Sequence, residues 1–295
     1  MPQRGDQRHL SARGALRHTV RALDDYPLAA DRWSSTRARA CIVVAGATGV
    51  PRGFYRAFAE RASGRGYDVV TFDYRGIGES APPSLRGFTM DYRDWGRYDL
   101  AGVLEDTASD GLPLHLVGHS YGGQALGLVP DPSVVTSMHT FGTGSGWHGW
   151  MPKTEQLRVR VMWNLVGPLL VRTHGYLAWS RLGLGEDLPI DVFHQWKHWC
   201  RFPAYWFDDP AVADEMRDAY ARVTTPITAV NSIDDRWIPP AARDAFLPGY
   251  VNAPLTTHDL DPADLGLRAL GHMGYFRRGS ERLWDDLLDD LDATA

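Results

Sequence analysis

Three residues of this 295-residue chain have the types and settings that acyl chemistry requires: Ser120, Asp235 and His272. A serine hydroxyl is a poor nucleophile until a base takes its proton, and an imidazole serving as that base must be oriented by a third group. Ser120 lies in Gly118-x-Ser120-x-Gly122, between an apolar run at 114–117 and a helix-compatible run at 124–129. That order predicts a strand, a tight turn and a helix, with the serine at the strained apex. Glycine on both sides suits a turn where a Cβ would collide with its neighbours. The helix start adds free N–H groups and a partial positive charge. The plain alternative is a glycine-rich turn that contains a serine. Downstream, Asp235 follows a predicted strand at 226–231 and stands four residues before Pro239. Asp234 is the near alternative for the orienting acid, and both acids would also suit the start of a helix at 241–247. His272 sits between Gly271 and Gly274 in a predicted loop before the last helix. His119 adjoins the serine but points the wrong way for a base, and reads as a packing residue.

Acyl transfer also needs two donors for a developing oxyanion. One is expected to be the backbone N–H of Tyr121, directly after the serine. The other is expected in Gly46-Ala47-Thr48-Gly49, at Ala47 or Thr48. Candidate walls for a substrate pocket are Thr48, Trp147, Trp150, Trp237 and Met273. His194, His198 and nearby Cys200 have the outline of a metal site on one helix face, but lack an acidic partner of defined spacing. They read as packing, and neither metal nor cofactor is expected.

A competing reading starts from the same glycine turn. The strand at 42–45 enters Gly46-Ala47-Thr48-Gly49, and Asp73 ends the next strand about 20 residues past Gly53, with Arg75 nearby. This is the outline of a dinucleotide-binding βαβ unit in an NAD(P)-dependent oxidoreductase. Its details fail: Arg52 stands where the third glycine belongs, beside Pro51. The only lysines are Lys153 and Lys197, so no Tyr-x-x-x-Lys pair is present.

The elements that must position these residues alternate. Strands are predicted at 19–23, 27–33, 40–45, 69–72, 114–117, 134–141, 226–231 and 255–260. Helices are predicted around Phe54 to Ala62, over 92–106, 124–129 and 241–247, and over the closing Leu283, Trp284, Leu287, Leu288 and Leu291. The aspartates of that last helix read as a solvated face. Strands alternating with helices imply an α/β fold with a mostly parallel sheet covered on both faces. The alternation stops between 142 and 223, where 7 of the 11 tryptophans fall. That stretch reads as a helical lid inserted into a core formed by 18–141 and 224–295, with 1–17 as a flexible arm.

Composition bounds the partners. At 44% hydrophobic, the chain can bury a sizeable core. A net charge of −5 argues against nucleic acid and against an anionic membrane surface. The longest apolar stretch, 161–171, is broken by Asn164, Gly167 and Pro168 and is too short to span a bilayer. No apolar segment at the start reads as a signal peptide, and two cysteines make no disulfide framework, so a cytoplasmic setting is expected. The arginine bias hints at a GC-rich bacterial source. A homodimer is left open.

The residues quoted above carry a resemblance. The chain resembles α/β-hydrolases of the serine-aminopeptidase and monoglyceride-lipase-like branch. It is similar to a bacterial group of uncharacterised predicted α/β-hydrolases. The stretches that carry this are Ala47 to Pro51, Phe72 to Gly78, Gly118 to Gly123, Asp235 to Pro239 and Gly271 to Gly274, with Leu182 to Pro189 in the insert. The resemblance implies the α/β-hydrolase fold and a Ser120, Asp235, His272 triad. The His-Gly that often precedes the oxyanion donor is Ala45-Gly46 here. The reading expected from all of this is a serine hydrolase acting on an ester or thioester of a small apolar substrate through an acyl-enzyme. Peptidase, acyltransferase, lactonase and perhydrolase activities share the same residues, and a non-catalytic ligand-binding protein of this fold is the alternative from another class.

Overall fold

Every residue of β4 (Ala40–Ala45) and of the later strand Leu114–His119 is buried. A strand with both faces covered needs apolar side chains throughout, and Ile42-Val43-Val44 supplies them. Cys41, Val43 and Ala45 enter one core, whereas Ala40, Ile42 and Val44 enter the other, as a two-residue period requires. The computed structural model describes residues 9–10, 14–183 and 185–294.

Nine strands form one sheet among the described residues. They are β1 (His9–Leu10), β2 (Leu16–Arg21), β3 (Pro27–Trp33), β4, β5 (Tyr67–Phe72), β6 (Leu114–His119), β7 (Ser137–Phe141), β8 (Ile227–Ser232) and β9 (Leu255–Leu260). Their spatial order is β1-β2-β3-β5-β4-β6-β7-β8-β9. The first three run antiparallel, and β5 through β9 pair in parallel. The chain passes from β4 to β5 on one side and returns to β6 on the other. The carboxyl ends of β4 and β6 therefore flank a crevice at a switch point, the usual ligand position in an open α/β sheet. The oxyanion-loop and serine candidates sit at those two ends.

Helices cover both faces. α1 (Arg56–Gly64) packs with the closing helix, Glu281–Thr294, through Phe58 and Trp284. On the other face, a π-helical turn, Trp95–Leu100, leads into α2 (Ala101–Ala108), where one continuous helix over 92–106 is predicted. α3 (Tyr121–Gln124) starts directly after Ser120 and tightens into a 3₁₀ turn, Ala125–Leu128. The run predicted at 124–129 therefore begins earlier and stops sooner. Val129 precedes Pro130 and is extended, as the proline ring demands.

Between β7 and β8 the chain is mostly helical: α4 (Lys153–Val161), a π-helical turn at Met162–Val166, α5 (Gly167–His174), α6 (Ile190–Trp199) and α7 (Ala213–Tyr220). α8 (Pro240–Phe246) follows β8. α9 (Gly271–Gly274), a single turn where a loop is predicted, carries His272, and α10 (Glu281–Thr294) closes the chain.

Two expectations change. The arm predicted over 1–17 is partly sheet, because His9 and Leu10 of β1 pair with Arg17 and Leu16 of β2; residues 1–8, 11–13, Leu184 and Ala295 lie outside the described residues. The aspartates of α10 are not simply a solvated face. Asp285 pairs with Arg61, and Arg65 bridges Asp289 at 2.7 Å and Asp292 at 2.8 Å, so this face pins the helix to α1.

Candidate active site

Ser120 has φ 54° and ψ −110°, a conformation that L-residues rarely adopt. Its own N–H donates to the Phe141 carbonyl at 2.9 Å, which ties the turn to β7. The close packing explains the glycines. A Cβ on Gly122 would fall 1.9 Å from the Ala45 carbonyl oxygen, and one on Gly118 would fall 2.5 Å from the Gly123 nitrogen. The strain turns the serine side chain out at the crevice.

The structure brings the three sequence-predicted residues together. His272 Nε2 lies 3.1 Å from Ser120 Oγ, and His272 Nδ1 lies 2.8 Å from Asp235 Oδ2. Asp235 Oδ1 accepts the N–H groups of Trp237 at 2.9 Å and Ile238 at 3.0 Å. Tyr275 Oη donates to Oδ2 at 3.3 Å. Burial, the largest influence, acts to raise the Asp235 pKa. The adjacent His272 and these hydrogen bonds overcome it, and the carboxyl ends below its ordinary value. An ionised acid in this place holds Nδ1–H and leaves Nε2 facing the serine.

Asp234 has a separate place. Its carboxylate accepts the N–H groups of Leu270 at 2.8 Å and Gly271 at 2.9 Å, and the Ser232 hydroxyl at 2.7 Å. It clamps the segment that carries His272. The Trp237 ring stacks on the His272 imidazole at 6.0 Å between centroids, and Trp237 Nε1 donates to buried Glu155 at 3.0 Å.

His119 does more than fill space. Its Nε2 donates to the His272 carbonyl at 2.9 Å, which leaves Nδ1 as the acceptor of the Tyr55 hydroxyl at 3.0 Å. Tyr55 Oη in turn accepts the Ala47 N–H at 2.8 Å. Each donor in this buried chain has one acceptor. Burial, then the nearby His272, pushes the His119 pKa down to about 3, so the ring stays neutral. The chain corrects the expectation that Ala47 offers its N–H to an oxyanion, because Tyr55 already occupies it. Thr48, the other residue considered, lines the cavity with its side chain bonded to the Tyr92 hydroxyl. Tyr55 had no sequence signal beyond a hydroxyl on an otherwise apolar helix face.

A cavity of about 510 Å³ opens over Ser120, within the usual range for small-molecule sites. Of the expected walls, Thr48, Trp237 and Met273 line it; Trp147 and Trp150 do not. Those two rings pack edge-to-face on each other at 5.2 Å, and Trp150 Nε1 donates to the Pro203 carbonyl. Trp163, Trp179 and Trp196 form the aromatic wall instead, with Val159 and Met162. Cys200 also faces the cavity, its thiol pushed up by burial and therefore a poor nucleophile. His198 pairs with Asp209 at 2.9 Å. Among the described residues, no group of three or more His, Cys, Asp or Glu side chains is placed to hold a metal ion.

The dinucleotide reading finds no open acid. Asp73 accepts the Arg52 N–H at 2.6 Å, the Arg52 guanidinium, and the Glu79 N–H at 3.0 Å. Arg75 is held between Asp24 at 2.7 Å and Asp99 at 2.6 Å. Both are anchors inside the loop after β5.

A family model described as the alpha/beta hydrolase family matches residues 41–285. None of the curated proteins matches the chain. Several solved structures share the fold. A soluble variant of monoglyceride lipase from Saccharomyces cerevisiae, in complex with a substrate analogue, is 16% identical, covering 99% of this chain and 96% of its own, at a TM-score of 0.62. An esterase from Exiguobacterium antarcticum is 16% identical over 93% of this chain and 98% of its own, at 0.59. A monoacylglycerol lipase from Paleococcus ferrophilus is 14% identical over 91% and 99%, at 0.57.

Proposed function

We propose that this chain, which belongs to the alpha/beta hydrolase family, is a serine hydrolase that cleaves a carboxylic ester or thioester of an apolar substrate. The observation that carries this reading is the continuous hydrogen-bonded line from Ser120 through His272 to Asp235, with separations of 3.1 and 2.8 Å. In the first step His272 Nε2 takes the serine proton while Oγ attacks the substrate carbonyl carbon. The carbonyl oxygen becomes an oxyanion held by two backbone donors, which we assign to Tyr121 and Thr48. Tyr121 opens α3, where its N–H has no partner within the helix. When the tetrahedral species collapses, His272 returns the proton to the leaving alcohol or thiol, and the acyl group stays on Ser120. Water then enters, loses its proton to His272, attacks the acyl carbon and releases the acid, restoring the serine.

The cavity supports an apolar acyl or aromatic group. Its walls are the rings of Trp163, Trp179, Trp196 and Trp237, and the helical stretch between β7 and β8 acts as the lid that excludes water. Among the described residues no helix is long and apolar enough to cross a membrane. Both cysteines are free and buried, which suits the proposed cytoplasmic setting.

A fluorophosphonate probe tests the reading. Expected is one phosphonyl adduct on the peptide containing Ser120, absent from Ser120→Ala and strongly slowed in His272→Ala. Turnover of p-nitrophenyl esters of graded chain length then ranks the acyl groups. No labelling of the folded protein, together with tight reversible binding of the same esters, would establish the non-catalytic alternative instead.

A further inference from the structure

The stretch from α4 through the π turn to α5 is one continuous helical run, about 33 Å long at the usual rise. Its buried positions are Glu155, Val159, Trp163, Gly167 and Val171, spaced by four. Val159 and Trp163 line the cavity over Ser120. Two residues further on from these lies the opposite face, which in a surface helix is normally polar. Here it carries Leu157, Val161, Leu165 and Leu169, exposed by 66%, 44%, 66% and 60%. The π turn widens the helix by one residue in that stretch and so limits the drift of a four-residue spacing around the axis. The result is an apolar ridge on the solvent side of the insert, about 18 Å long from Leu157 to Leu169. Leu182, 50% exposed, adds to the apolar surface of the insert, next to Gly183 on the cavity wall.

The exposed charges on the helical run itself share one sign. Lys153, Arg158, Arg160 and Arg172 are exposed, whereas near Leu182 exposed Arg181 is offset by exposed Glu186 and half-buried Asp187. The one acid between 153 and 174 is Glu155, which is buried, receives the Trp237 N–H and pairs with Arg158 at 3.3 Å, so Lys153, Arg160 and Arg172 carry the uncompensated charge of the run. A chain of net charge −5 therefore presents a cationic, leucine-studded strip in one place. The whole-chain charge argued against an anionic membrane partner; the distribution of charge reverses that argument locally.

We propose that this ridge docks the protein on the surface of an anionic phospholipid bilayer. The leucines enter the boundary between headgroups and acyl chains, and the arginine and lysine heads remain among the phosphates. A second copy of the chain would bring the same cations face to face, so charge complementarity favours the lipid surface. Docking sets the outer face of the helix in the bilayer while its inner face remains the cavity wall. The inference does not depend on the chemistry of Ser120.

Co-sedimentation with sucrose-loaded vesicles tests it, using phosphatidylcholine alone and phosphatidylcholine carrying about one-quarter phosphatidylglycerol. The wild-type protein is expected to pellet with the anionic vesicles and to be released by salt. The Leu157→Ser/Leu165→Ser/Leu169→Ser variant is expected to lose at least about tenfold in partitioning, since exposed leucines contribute by burying apolar area. The Lys153→Gln/Arg172→Gln variant is expected to lose about fivefold per charge removed. Circular dichroism melts of both variants show that they remain folded. Equal pelleting with neutral and anionic vesicles, or unchanged binding by the leucine variant, overturns the proposal. Sedimentation velocity adds a further outcome: a wild-type dimer that becomes a monomer in the leucine variant, without vesicle binding, makes the ridge a contact between copies and overturns it as well.

Discussion

Replacing Tyr55 with phenylalanine removes one oxygen and keeps the ring in place among Phe54, Phe276 and His119. That oxygen serves two buried groups: it accepts the Ala47 N–H and donates to His119 Nδ1. Both lose their partner in a site with no room opened for water, because phenylalanine leaves no side-chain-sized void. An unsatisfied buried polar group costs roughly 1–3 kcal/mol, so the two together cost about 2–6 kcal/mol. That is a large part of a usual folding free energy of about 5–15 kcal/mol. Urea unfolding followed by circular dichroism measures it. The expected result is a lower midpoint with an unchanged slope, as for a loss of stability without a change in exposed surface. The rate of fluorophosphonate labelling is expected to fall as well, because His119 also supports the His272 carbonyl. A Tyr55→Phe variant within about 0.5 kcal/mol of wild type would refute the reasoning, since substitutions of that size are typical of sites with no buried network.

The two neighbouring acids are expected to behave differently. Asp235→Asn should lower the rate about ten-thousandfold through loss of the oriented imidazole. Asp234→Ala should cost about 1–3 kcal/mol in stability by freeing the Leu270 and Gly271 N–H groups, with at most about a tenfold loss of rate. Ser120→Gly should abolish labelling and raise stability by about 1 kcal/mol in a urea melt, because glycine adopts the serine's strained backbone conformation without penalty. Acid sensitivity should follow the buried histidines. Burial, then the charges of His115 and His258, lowers the His139 pKa from 6.5 to about 4. Between those values the unfolded chain holds a proton that the folded chain refuses. Stability is therefore full above the upper value and falls as pH drops, by up to about 1.4 kcal/mol per pH unit for one such group. His139→Leu, measured by urea melts across that pH range, should flatten the dependence by that amount.

The strained turn at Ser120 was legible because its signal is local: Gly118, Ser120 and Gly122 alternate along one bend, although the Ala45 carbonyl that crowds Gly122 comes from a neighbouring strand. Asp235 and His272 were legible because each stands after a strand or before a helix whose periodicity can be counted. The parallel sheet followed from the same counting. The Tyr55–His119 chain was not legible, since it joins a helix, a strand end and the His272 segment by hydrogen bonds that leave no spacing rule. It is also what engages the Ala47 N–H, which the residue types alone had offered to an oxyanion. Composition located the tryptophan-rich insert but not which rings face the cavity. That depends on the rotation of α4 and α6, and a π turn at Met162–Val166 shifts the rotation in a way no helical period anticipates. The aspartates of α10 were misread for a related reason: a pattern of charge shows a polar face, while the arginines that dock against it come from Arg61 and Arg65, more than two hundred residues away.

The central claim is that an acyl group is held on Ser120 during turnover. Rapid quenching of the protein with a p-nitrophenyl ester, followed by peptide mass spectrometry, tests it most directly. The expected result is a mass increase equal to the acyl group on the peptide containing Ser120, formed at the rate of the p-nitrophenol burst and lost in Ser120→Ala. Ester turnover without that adduct, or an acyl group on a different residue at the same rate, would contradict the account.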